Sequence, residues 1–189
     1  MRILSLIICL FGLGMSNLFC QVNIKSYDIV LKNETPTYAE FSSNGKYIAA
    51  GVFGAVRVWE TDSKKFIDYK TKVKNETPTF VCFAPEGKYI AAGVFGAVRV
   101  WNLATQECKD YEAKLSNETP DFICFSPSGK YLATGVFGAV RVWDLRAGGF
   151  KDYPTRLKNH TPNFIKFSPD ERFIVAGQYG EIRTWELVN

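Results

Sequence analysis

Nine residues, GVFGAVRVW, occur three times without change, at 51–59, 93–101 and 135–143, and once in altered form, GQYGEIRTW, at 177–185. The four tryptophans, Trp59, Trp101, Trp143 and Trp185, therefore recur at one constant spacing, a 42-residue period. A period of that length means units that cannot bury their apolar faces alone and must stack on their neighbours. The stretch 22–189 makes four such periods with nothing left over for another domain.

Each period reads as four strands. The first is an apolar run followed by turn chemistry, as in TYAEFSSNGKY from Thr37, TFVCFAPEGKY from Thr79, DFICFSPSGKY from Asp121 and NFIKFSPDERF from Asn163. The second, YIAAGV in the first two copies, leads through a turn at Gly54, Gly96, Gly138 or Gly180 into the third, AVRVW. Alternation puts Val56 and Val58 on one face of that strand and Arg57 and Trp59 on the other. The fourth, KFIDYKTKV in the first copy, runs from Lys65 to Val73 and closes at Asn75. Four antiparallel strands make one blade of a β-propeller, so the expected class is all-β, with four 42-residue blades per chain.

Residues 1–20 differ in composition from everything after them. One positive charge, Arg2, precedes an apolar run from Ile3 to Leu13, and Gly12, Gly14, Ser16 and Asn17 interrupt the remainder. This reads as a signal peptide with cleavage after Cys20, and it implies a secreted or periplasmic protein with no membrane association once cleaved; an uncleaved anchor would need about 20 apolar residues in a helix. The formal charge of +4 becomes +3 without Arg2, and charges of both signs alternate along the chain, which excludes a nucleic-acid footprint. The apolar content of 47% excludes disorder. Cys82, Cys108 and Cys124 remain in the mature chain, an odd number. Cys82 and Cys124 are expected as small apolar residues on inner strands, since equivalent sites on sheets about 10 Å apart lie beyond disulfide reach.

Residues 125–145, FSPSGKYLATGVFGAVRVWDL, resemble the core of a WD (Trp-Asp) repeat and end in the full Trp143-Asp144 dipeptide followed by Leu145. The other copies read Trp59-Glu60, Trp101-Asn102 and Trp185-Glu186. The family's Gly-His dipeptide is replaced by NETP from Asn33, Asn75 and Asn117 and by NHTP from Asn159. Of the tetrad of buried hydrogen-bonding residues that the resemblance implies, only the tryptophans and Thr134 are present, so the blades are expected to be held mainly by packing.

At the same phase, IKSYDIVLKN from Ile24 aligns with FIDYKTKVKN from Phe66, CKDYEAKLSN from Cys108 and FKDYPTRLKN from Phe150. The chain thus divides into a fourth strand at 22–33, repeats at 34–75, 76–117 and 118–159, and a last repeat at 160–189 that lacks its own fourth strand. The resemblance implies interlocking closure, with 22–33 completing the last blade. Closure on itself gives a four-bladed monomer with about 90° between blades; a two-fold homodimer with exchanged N-terminal strands gives eight blades at a gentler angle, and the homodimer is the expected state. A half-ring that completes itself on another protein is a further reading.

The single histidine, His160, has no counterpart in the other repeats, where Glu34, Glu76 and Glu118 stand. It reads as a loop residue. No metal set, Ser-His-Asp arrangement or cofactor loop can be assembled, so no cofactor is expected. The N-x-T sequons at Asn33, Asn75, Asn117 and Asn159 are each followed by proline and read as turns. One constellation repeats: Phe53, Phe95, Phe137 and Tyr179 fall on the same end of the blades as Asn33 and Glu34, Asn75 and Glu76, Asn117 and Glu118, and Asn159 and His160. Aromatic rings beside carboxylate and amide groups form a candidate multivalent contact face for a protein or glycan ligand. The competing reading is that the rings fill gaps between blades. The expected function is a non-catalytic, exported binding scaffold; an enzyme or enzyme subunit with its site at the central channel is the alternative, and near-equal repeats disfavour it.

Overall fold

A computed structural model describes Pro36, 38–113 and 119–187. These residues belong to the second of two compact units, Leu31–Asn189; the first is Met1–Val30. The expected signal peptide and the strand at 22–33 lie outside the described residues.

Every element among the described residues is a strand. The first sheet holds β1 (Ala39–Phe41), β2 (Tyr47–Val52), β3 (Ala55–Glu60) and β4 (Phe66–Lys70). The second holds β5 (Val81–Phe83), β6 (Tyr89–Val94), β7 (Ala97–Asn102) and β8 (Cys108–Glu112). The third holds β9 (Ile123–Phe125), β10 (Tyr131–Val136), β11 (Ala139–Asp144) and β12 (Phe150–Pro154). The fourth has three strands, β13 (Phe164–Phe167), β14 (Phe173–Gln178) and β15 (Glu181–Glu186). All four are antiparallel meanders in chain order. The fourth strand of the first unit is shorter than the sequence pattern suggests, ending at Lys70 and not at Val73, because Thr71 N bonds Gly54 O and the Thr71 hydroxyl turns back to Val73 O.

Register is the same in each complete sheet: Val56 faces Tyr69, Val98 faces Tyr111 and Val140 faces Tyr153. Packing runs from the back of one sheet to the front of the next. Val56, Val58 and Tyr69 share a cluster with Val81, Phe83, Ile90 and Trp101 of the second sheet, and the two later junctions repeat this. Each outer-strand tyrosine meets the tryptophan of the following sheet at an angle: Tyr69 with Trp101, Tyr111 with Trp143 and Tyr153 with Trp185, at centroid distances of 6.5, 5.8 and 6.2 Å. The tryptophans therefore serve the junctions between sheets. The outward faces at the two ends of the series are more open. Ile182 is 73% exposed where Val56, Val98 and Val140 are at 0%, and Phe41 is 61% exposed where Phe83 is at 7%.

Besides the packing expected to hold the blades, a polar pair that sequence reading did not single out recurs in each complete sheet. The third-strand arginine forms a two-pronged pair with the fourth-strand aspartate in each complete sheet: Arg57 with Asp68, Arg99 with Asp110 and Arg141 with Asp152. In the second and third sheets the remaining guanidinium nitrogen reaches across the junction. Arg99 Nη1 donates to Lys70 O and Arg141 Nη1 to Glu112 O, at 3.5 and 3.1 Å. Planar forks suit this double duty in a way that an ammonium cannot. Thr134 also finds a partner, its hydroxyl donating to Phe122 O at 2.7 Å.

These pairs set an acid limit. Hydrogen bonding to the arginines holds the Asp68 and Asp110 carboxyls below the usual carboxylate range. A depressed folded-state pKa contributes stability above the unfolded value, near 4, and loses it as pH falls through the folded value. Thermal scans from pH 6 to 2 are therefore expected to show Tm falling chiefly below pH ~4, less steeply in a variant with both aspartates changed to asparagine.

Candidate functional site

Two pieces of different repeats meet at one end of a junction. Gly54 N donates to Glu76 O at 2.7 Å, and Gly138 N donates to His160 O at 3.1 Å. Gly54 and Gly138 sit at φ of 73° and 72°, in the left-handed region that a side chain disfavours. The turn carrying Phe53 is thus tied to the loop 74–76, and the turn carrying Phe137 to the loop 158–160. Asn33, Glu34, Asn117 and Glu118 lie outside the described residues.

The aromatic tips are not gap fillers. Phe53 is 59% exposed, Phe95 53%, Phe137 46% and Tyr179 87%. The gaps between sheets are filled instead by the valine, tyrosine and tryptophan sets described above. His160 is an exposed loop residue whose carbonyl, as well as that of Leu157, accepts from the Gln178 amide. Gln178 replaces the valine found at Val52, Val94 and Val136, and it is buried.

Glu76 behaves differently from a surface carboxylate. Both of its oxygens are inaccessible and lack a partner in hydrogen-bonding geometry. Burial raises its pKa, tempered by the nearby Phe95 N–H and by the Arg99 charge. What Glu76 offers at the surface is therefore its backbone and stem, while Lys74, Asn75, Lys158 and Asn159 are exposed beside the rings.

The inner strands carry a second constellation that repeat reading passes over. Glu40, Cys82, Cys124 and Lys166 occupy one position of β1, β5, β9 and β13, each a full period after the last, and the position varies where the third strands hardly do. Burial pushes Glu40 up to about 7, and the Lys166 charge draws it back. Burial also raises Cys82 and takes Cys124 to about 12, so both thiols stay protonated and inert. Cys82, Cys108 and Cys124 are free thiols. Two residues before this layer, Tyr38 stacks on Phe80 at 4.4 Å, and Phe80 leans on Phe122 at 5.8 Å. The signal for this layer is present in the sequence, as differing residues at a shared phase, but a repeat directs attention to what its copies have in common. Among the described residues, no group of three or more His, Cys, Asp or Glu side chains could hold a metal ion.

Glu40 makes a pH prediction. Its folded pKa lies above the unfolded value, so the folded chain keeps a proton that the unfolded chain gives up between about pH 4.5 and 7, and stability falls across that interval. Glu40→Gln is expected to raise Tm by a few degrees at pH 8, about 1 kcal/mol after allowing for solvent screening, with no gain at pH 4.5. Equal effects at the two pH values would remove the assignment.

No protein-family model matches the chain, and no curated protein matches it either.

Proposed function

We propose that the protein is an exported, non-catalytic β-propeller of WD-repeat type, four blades to the chain, that holds a protein or other ligand on the face carrying Phe53, Phe95, Phe137 and Tyr179. The observation that carries this reading is the exposure of all four rings, from 46 to 87%, at the tips of turns that backbone hydrogen bonds brace in two of the four units. Rings held out on rigid turns are suited to a partner. Three near-identical units and a fourth variant favour several weak contacts acting together over a single deep site. The test is a triple variant, Phe53→Ala, Phe95→Ala and Phe137→Ala. It is expected to keep its Tm within a few degrees and to lose at least roughly tenfold of the binding that the wild type shows to species in the exported fraction. Retention of every partner by a folded triple variant ends the proposal.

Closure of the blades is part of the same reading. The proposed closing strand is 22–33, and the choice lies between a four-bladed monomer and an eight-bladed homodimer. In-chain closure needs no second copy, and Glu40 and Lys166 stand at one phase of the inner strands of the first and fourth sheets. Light scattering of the mature chain is expected to give a monomer mass; a dimer mass selects the exchanged ring.

A further inference from the structure

The second strand of each sheet contains a glycine that serves as a seat. A side chain at Gly51 would overlap the carbonyl of Pro78, one at Gly93 that of Pro120, and one at Gly135 would press on the Pro162 ring. Each proline belongs to the loop that enters the next repeat, and Pro78, Pro120 and Pro162 are all buried. Three junctions therefore share one lock: proline of the following repeat on glycine of the preceding one.

The fourth seat and the fourth proline are both present and are not joined. Gly177 is the glycine of the last repeat, and the ring of its own Phe164 lies on it. Beside it is a shallow, largely open depression lined by Phe164, Gly177, Gln178, Gly180 and Ile182. Pro36 is the proline at the matching phase, and it is exposed. Phe164 also stands at the phase of Tyr38, Phe80 and Phe122, whose rings meet in series along the inner strands.

We propose that the depression over Gly177 is the docking seat for Pro36 of the same chain, and that Phe164 is a plug that holds the seat until Pro36 displaces it towards the aromatic series of the inner strands. The occupant is chosen by three internal examples of the same contact. The inference rests on in-chain closure and adds a specific latch to it.

Hydrogen exchange of the full mature chain, with molar mass on the same samples, tests both. In the wild type, the outward amides of β15 are expected to exchange at least roughly tenfold more slowly than those of a free edge strand. Free-edge exchange in the wild type overturns closure itself, and the latch with it. Gly177→Val is expected to abolish that protection. Because the valine also meets Phe164, the deciding sample is Gly177→Val with Phe164→Ala. Continued loss of protection there supports Pro36 as the occupant. Recovery to wild-type protection means that the glycine serves only Phe164, and it overturns the latch while leaving closure standing. A wild-type dimer that becomes monomeric in Gly177→Val gives the seat to a second copy and overturns the in-chain assignment.

Discussion

Replacing Arg141 by alanine is expected to cost about 3 kcal/mol, a fall of roughly 6–12 °C in Tm for a chain of this size. The side chain is 3% exposed. Its Nε and Nη2 hold the two Asp152 oxygens at 2.7 and 2.6 Å, its Nη1 holds Glu112 O across the junction, and its plane lies 4.0 Å from the Phe150 ring centre. Alanine removes all of these at once. The Asp152 carboxylate is 40% exposed and recovers some water, which keeps the loss below that of a fully buried pair. Arg141→Lys is expected to lose about half as much, because one ammonium cannot span both the carboxylate and the carbonyl. Arg183 also donates across the junction, from Nη1 to Pro154 O, but it is 39% exposed and its carboxylate partner is Glu181 on its own strand, so Arg183→Ala is expected to cost less, about 1 kcal/mol. Thermal unfolding of the three variants gives the ranking. Equal losses at Arg141 and Arg183 would show that the buried fork to Asp152 adds nothing to the cross-junction bond that both arginines make.

Gly93→Ala is the second large effect, about 2–4 kcal/mol. The added carbon would overlap the Pro120 carbonyl, which is backbone of a buried segment and cannot swing aside as a side chain could. The whole junction between the second and third sheets has to open slightly to admit one methyl group. Gly148→Ala is the control. That glycine has φ 79° with nothing within 4 Å of the added carbon, so only the strain of a left-handed backbone is expected there, about 1 kcal/mol. Urea midpoints that move by similar amounts for the two variants, at unchanged slope, would remove the seat from the stabilising contacts.

Much of the strand pattern is legible in the residues. A strict period fixes where each strand recurs, and alternation in AVRVW is enough to separate the valine face from the arginine and tryptophan face. The turns are legible because Gly54 and its counterparts must adopt a conformation that few residues tolerate. The Arg–Asp pairs are not, although each arginine precedes its aspartate by the same interval in three repeats. That interval has meaning only once β3 and β4 are known to pair with Arg57 opposite Asp68. The seat glycines are hidden for a related reason: Gly51 reads only as one residue of the second strand, and its actual constraint comes from Pro78, well along the chain in the following repeat. At the candidate site, position can be read and exposure cannot. That Phe53 projects while Trp59 is covered depends on which neighbouring sheet reaches each ring.

The bond from Gly54 to Glu76 has a further consequence. Its donor lies in one copy of the repeat and its acceptor in the next, as do the partners at Gly138 and His160. The two partners lie about half a period apart, so whether one copy of the repeat holds a whole pair depends only on where its boundary is drawn. Any duplicated window of one full period adds one complete unit, wherever in the period the window begins. Unequal recombination between copies would change the number of such tied loop pairs in integer steps, with no requirement that the break fall at a domain boundary.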